Sequence, residues 1–172
     1  MSADQLRLRP FRPLDETAAL AAHRSFTQDN FTFLLNYVEG EEWAGYLDRL
    51  EAFRRGADLA EDRVPDSFLA AVVGDELVGR VSVRHKLNGW LALHGGHIGY
   101  GVVASQRRRG HATEILRQAL VVARSVGVDE VLLVCNASNE GSVRTIEACG
   151  GQLESVVPGP DGSEPQRRYW IS

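Results

Sequence analysis

Two apolar periods alternate along this 172-residue chain. A period of two marks strands and a period near 3.6 marks helices. Leu6, Leu8 and Phe11 alternate with charged residues over Gln5–Arg12, which predicts a first strand near a sheet edge, since Pro10 interrupts it. Leu14–Phe26 is alanine-rich and helical in pattern, Asn30–Glu42 is irregular, and Trp43, Tyr46, Leu47, Leu50 and Phe53 recur at helical spacing over Trp43–Arg55. After a polar loop, Ser67–Val73 and Leu77–Arg84 flank Gly74-Asp75-Glu76, a hairpin pattern. Leu87–Gly96, with Trp90, is a glycine-containing connection. His97–Val103 reads as a strand. From about Arg109, Ala112, Ile115, Leu116, Ala119, Leu120 and Ala123 share one helical face. Glu130–Cys135 is a buried-strand run. Asn139 then caps a helix with Val143 and Ile146 on one face, closed by Gly150-Gly151. Gln152–Val157 and Gln166–Ile171 pair across the turn at Pro158–Gly162. The order β-α-α-β-β-β-α-β-α-β-β predicts an α/β fold with a mixed sheet, and no linker divides residues 1–172 into more than one domain.

The strand-to-helix junction between Val103 and Ala112 carries the most chemistry. The first N–H groups of a helix lack internal partners and sit at the positive end of its dipole, so an anion is stabilised there. Arg107-x-x-Gly110-x-Ala112 occupies this junction, with small residues where a pyrophosphate would approach the backbone. The Arg107-Arg108-Arg109 run lies on a turn behind an apolar strand, which suits a compact phosphate ligand better than a nucleic-acid backbone.

This segment resembles the acetyl-CoA loop of the GNAT N-acetyltransferase superfamily, whose pattern is (Gln or Arg)-x-x-Gly-x-(Gly or Ala). Arg107, Gly110 and Ala112 match it. Ala104 stands where many members have proline. Asn139-x-x-Ser142, after the Val131–Cys135 run, and the closing Gly-Gly extend the resemblance over about Leu69–Ser172. It implies a mostly antiparallel central sheet flanked by helices, and acetyl-CoA as co-substrate. It assigns Gly101, Val102 and Val103 to the pantetheine arm, with the Val102 N–H on the acyl oxygen. Arg107, Arg108, Arg109, Gly110, His111, Ala112 and Thr113 fall on the pyrophosphate, and Asn139 on the arm. The strand before the loop and Val131–Cys135 are expected to splay apart, and Gly99 and Gly101 are compatible with a bulge or with close packing.

An alkylammonium of pKa about 10 must lose a proton before it attacks a thioester. The family position for a glutamate base falls near Gly96, so the flanking His94 and His97 are the nearest titratable candidates. Strand alternation would put 94, 96, 98 and 100 on one face and favours His94; a water chain ending on backbone or on a distant carboxylate is the alternative. A tyrosine that protonates the leaving thiolate in many members falls at Ile146, which leaves Ser142 as the substitute acid. Phe31, Phe33, Tyr37, Trp43 and Tyr46 are candidates for the acceptor wall, with Glu39, Glu41 and Glu42 as attractors of a cationic amine.

Nineteen Lys and Arg against 23 Asp and Glu give a net charge of −4, which argues against a nucleic-acid partner. Two cysteines, Cys135 and Cys149, make no disulfide framework and no zinc cluster, so no metal is expected. A polar N-terminus without a leader-like segment, and no apolar run of about 18 residues, predict a cytoplasmic protein away from the membrane. A homodimer is compatible with these features. The expected acceptor is an amine on a small molecule, or else a protein N-terminus or lysine. A non-catalytic acyl-CoA sensor is the rival from another class. A nucleotide-binding module is a third, without a Gly-Lys-(Ser/Thr) motif to support it.

Overall fold

The computed structural model describes residues 5–172. The polar Met1–Asp4 stretch, part of the expectation that no leader is present, lies outside the described residues. Strand β1 (Leu6–Pro10) leads through a short 3-10 turn into α1 (Glu16–Ser25) and, after a loop, α2 (Trp43–Arg54). β2 (Asp66–Val73), β3 (Glu76–Arg84) and β4 (Ile98–Val102) follow, then α3 (His111–Ser125), β5 (Val131–Asn136), α4 (Glu140–Ala148), β6 (Gln152–Val157) and β7 (Gln166–Ile171). This is the order the hydrophobic pattern predicts. Among the described residues, no helix is long and apolar enough to cross a membrane.

The strands form two antiparallel sheets, β1-β2-β3-β4 and β5-β7-β6. β1 is an edge strand, and its last residue is Pro10, whose missing N–H needs no partner there. Alternation along β2 separates two cores. Ala71 packs with Ile115, Leu116 and Ala119 of α3, whereas Phe68, Ala70 and Val72 pack with Phe33, Trp43 and Tyr46 from the N-terminal helices and loop. At about 25 cal/mol per Å² of buried apolar area, these two faces dominate the favourable side of folding.

A continuous mixed sheet would need a ladder between β4 and β5, which α3 connects as a crossover. What joins them is one clasp. The His97 N–H donates to the Leu132 carbonyl at 2.7 Å, and the Leu132 N–H donates to His97 Nδ1 at 2.9 Å. Beyond this clasp the strands part. The expected splay is therefore present, and the clasp explains where it starts.

Of the two readings left open for Gly99 and Gly101, the bulge is absent. β3 and β4 pair without a shift from Gly79↔Val102 to Val83↔Ile98, and the irregularity of this sheet lies in β2 between Ala71 and Val72. Close packing accounts for Gly101 instead: a Cβ there would sit 2.6 Å from Phe31 Cε1. The segment before β4 is also not extended. Leu91–Gly95 forms a π-helical turn, and Arg84 Nη1 holds the Gly95 and Gly96 carbonyls at 3.1 Å.

Candidate active site

The splay opens a cleft of about 740 Å³, within the range of small-molecule and cofactor sites. One wall is backbone. Gly110, with φ +82°, caps α3 in the left-handed region, where glycine carries no steric penalty. The first helical bond of α3 runs from the Glu114 N–H to the Gly110 carbonyl. The N–H groups of Arg109, Gly110, His111, Ala112 and Thr113 have no intramolecular partner among the described residues. Arg108 also has positive φ (+64°), which costs about 1–2 kcal/mol for a side-chain-bearing residue. Alternating backbone conformations of this kind turn successive N–H groups toward one concavity, an anion site. A Cβ at Gly110 meets nothing within 4 Å, so the space above it is open.

The other wall is the free edge of β4. In an antiparallel ladder, N–H groups alternate between facing the partner strand and facing away. The Val103 N–H donates to the Val78 carbonyl at 2.9 Å. Counting back through the register, Gly101 and Gly99 also face β3, while Val102 and Tyr100 face the splay. Of the three residues assigned to the pantetheine arm, only Val102 thus turns its N–H to the cleft. Gly101 contributes the floor on which Phe31 rests, and Val103 does not line the cleft.

Arg107, Arg108, Gly110, His111, Ala112, Thr113, Asn139 and Ser142 all line it, and Arg109 does not. The Arg107 side chain turns inward. Its Nε donates to the Val102 carbonyl at 3.2 Å, its Nη2 reaches Asp29 at 3.1 Å, and it lies over the Phe26 ring. Arg107 is thus a brace between loop, strand and N-terminal region, while Arg108 is exposed beside the anion site. Asn139 caps α4, accepting from the Ser142 N–H at 3.1 Å, and lines the cleft as well.

The histidines stand elsewhere. His97 is spent on the Leu132 clasp, and burial followed by the Arg84 charge pushes its pKa down. His94 lies on the π turn, so strand alternation does not apply to it. Its Nδ1 meets Gln166 Oε1 at 2.8 Å. Neither lines the cleft. Of the aromatic wall only Phe31 reaches it. Phe33, Trp43 and Tyr46 are core, and Tyr37 packs against them. Glu41 is held by Arg49, and Glu39 lies 3.7 Å from Arg24; neither they nor Glu42 face the cleft.

Ile146 is buried in the core, so the usual tyrosine position is closed. A tyrosine hydroxyl does reach α4 from another element, at Tyr100 of β4. Its hydroxyl donates to Ser142 Oγ at 3.3 Å, and burial raises its pKa to about 12. The sequence does place a tyrosine between two glycines of β4, but only the splay shows that it meets α4. Cys135 and Cys149 are protonated: burial raises both, Cys135 to about 11.

A second cavity of about 260 Å³ continues through the splay, sharing Phe31, Tyr100 and Asn139 with the first. Among the described residues its lining holds no Asp, Glu or His; its charged residues are Arg80 and Arg84.

The acetyltransferase (GNAT) domain family matches residues 5–152, and the chain belongs to that family. No curated protein matches the sequence. Among solved structures, Mycobacterium smegmatis RimJ in complex with CoA-disulfide superposes with a TM-score of 0.71 at 20% identity, covering 98% of this chain and 82% of that one. The microcin C7 self-immunity acetyltransferase MccE, with acetyl-CoA and AMP, gives 0.68 at 16% identity, over 98% and 92%. Vibrio cholerae spermidine N-acetyltransferase, with CoA and spermine, gives 0.63 at 16% identity, over 97% and 95%. These likenesses define the fold.

Proposed function

We propose that residues 1–172 act as one cytoplasmic acetyl-CoA-dependent N-acetyltransferase domain whose acceptor is a primary amine on a small molecule. The observation that carries this reading is the run of unpaired N–H groups from Arg109 to Thr113 beside the free edge of β4. The first fits a pyrophosphate and the second an extended amide-bearing arm. Acetyl-CoA would supply the acyl group and a thiolate leaving group. The Val102 N–H then stabilises the charge that develops on the acyl oxygen, and Asn139 positions the arm. Ser142 delivers a proton to the departing sulfur, with Tyr100 behind it. The two guanidiniums of the second cavity disfavour an ammonium, so the acceptor amine reacts in its neutral form, its proton lost to water.

One observation feeds the rival sensor reading: among the described residues, no carboxylate or imidazole faces the second cavity. Two measurements separate the readings. CoA at 100 times its Kd should raise stability by about 2.7 kcal/mol, with NAD and ATP well below that. No shift with CoA overturns the cofactor assignment. Release of free CoA with an amine panel supports the enzyme, and binding without release across that panel supports the sensor.

A further inference from the structure

We propose that the second cavity binds an anionic group on the acceptor, so that the substrate is an amine carrying a carboxylate or phosphate rather than a polyamine. This rests on the acetyltransferase reading for its chemistry but not for its geometry.

The site is built on Gly99. A Cβ placed there would lie 3.5 Å from Arg84 Nη2, 3.7 Å from Arg84 Nη1 and 3.9 Å from Arg80 Nη1. Two guanidiniums thus frame one small volume above a residue that has no side chain. Arg80 is locked in place. It is 3% exposed, its Nε donates to the Phe33 carbonyl at 3.0 Å, Nη1 to Gly99 at 3.0 Å and Nη2 to Thr32 at 2.6 Å, and it stacks on Phe31 at 4.4 Å. Arg84 spends Nη1 on the Gly95 and Gly96 carbonyls, while its Nη2 has no hydrogen-bond partner among the described residues. That free donor faces the cavity floor.

Among the described residues the two charges feel one acid, Asp66, and neither arginine has a carboxylate within 4.0 Å. Asp66 accepts from Ser82 Oγ at 2.7 Å, and burial pushes its pKa up against the pull of both arginines, so it offsets only part of their charge. The partner carbonyls satisfy hydrogen bonds but cancel no charge. Buried cations without a counter-ion in contact are costly, and an anion that enters their field recovers part of that cost. A guanidinium fork also matches the geometry of carboxylate and phosphate oxygens.

The position relative to the chemistry sets the acceptor's shape. Gly99 lies three residues before Val102 on one extended strand, roughly 10 Å at about 3.3 Å per residue. The anionic group and the reacting amine therefore belong to one molecule with a short spacer, its amine near the junction of the two cavities at Phe31, Tyr100 and Asn139. A second amine in the cradle would meet two like charges.

The test uses the full chain with acetyl-CoA and an acceptor series of equal spacer length: ω-amino carboxylates, ω-aminoalkyl phosphates, amino alcohols and diamines. The expected result is kcat/KM at least tenfold higher for an anionic series than for alcohols, with diamines lowest. The carboxylate and phosphate arms identify which anion fits. Gly99→Ala places a methyl in the cradle at ordinary contact distances, so it should fold. It should raise KM for the anionic acceptor tenfold while leaving CoA affinity and Tm near wild type. Arg84→Gln should erase the preference among the series. Calorimetry on CoA-loaded protein with the N-acetylated acids and phosphates gives a readout independent of turnover. If these bind and Gly99→Ala weakens them while no amine is acetylated, the enzyme reading fails and the anion site stands. Diamines as the best acceptors, or equal binding of charged and neutral products, overturns it.

Discussion

The two halves of the splay are built from different materials. The cofactor half is mostly backbone: free N–H groups at the start of α3 and along the edge of β4, with Gly110 and Ala112 keeping side chains out of the way. The half proposed for the acceptor is mostly side chain: Arg80 and Arg84 of β3, brought beside Gly99 of β4 and facing β5 across the gap. Backbone sites depend on local spacing, which a sequence displays. Side-chain sites depend on register and packing, which it does not. A site of the first kind can persist while the second kind changes its ligand.

The sharpest way to break this contrast is at Gly110. Gly110→Glu puts a carboxylate beside the anion site and a side chain at φ +82°, which costs about 1–2 kcal/mol in conformation alone. CoA affinity should fall more than about 100-fold, the equivalent of two 1.4 kcal/mol steps, in a protein still folded by circular dichroism. Undiminished affinity in titration calorimetry would place the phosphates elsewhere.

Proton delivery is the next largest effect. Ser142→Ala and Tyr100→Phe should each lower kcat by less than the roughly 10²-fold lower end of general acid catalysis, because a thiolate of pKa about 8.5 leaves tolerably unaided. If the two act as one relay, the double variant should be no slower than the worse single one. A thousandfold drop in Ser142→Ala with CoA affinity intact would make the hydroxyl the indispensable donor.

Arg107 sharpens the comparison from the cofactor side. Its guanidinium braces Val102 and Asp29, and both partners of that ion pair are about half exposed. Exposed pairs contribute about 0–1 kcal/mol, so Arg107→Ala should weaken CoA binding by less than about tenfold, far less than Gly110→Glu. An equal loss would mean that this side chain, and not the backbone, holds the phosphate.

The smallest effect is a slope with pH. His97 has an ordinary pKa of 6.5 that burial lowers in the folded protein. Below about pH 6.5 the unfolded chain takes up a proton that the folded one resists. Stability is therefore fully present above that pH and declines below it. His23 and His85 shift the same way. Between pH 7 and 5, Tm should fall less steeply in His97→Gln than in the wild type, without becoming flat. An equal or steeper fall would mean that burial does not hold the His97 pKa down in the folded protein.

Much of this was legible from the chain. The element order follows from two periods, and the loop from the spacing of Arg107, Gly110 and Ala112. Three things were not. Leu91–Gly95 reads as part of a glycine-containing connection but coils into a π turn, with Arg84 on the carbonyls at its end from across the sheet. Arg80 and Arg84 look in sequence like the polar face of a hairpin, yet Phe31 and the Thr32 and Phe33 carbonyls draw Arg80 into the layer between sheet and helices. His97 reads as a free base beside a glycine, but the break between the sheets leaves Leu132 needing both a donor and an acceptor, and His97 supplies them.

That clasp has a consequence for hydrogen exchange. A strand inside a sheet normally protects all of its amides, whereas β4 is bonded on one side only beyond His97. In the free protein the amides of Gly99, Gly101 and Val103 should exchange deuterium slowly, and those of Tyr100 and Val102 quickly, a residue-by-residue alternation along one strand. A molecule lying along that edge would erase the alternation at Val102 first. The rhythm of protection along five residues would then report occupancy of the slot without any enzymatic assay.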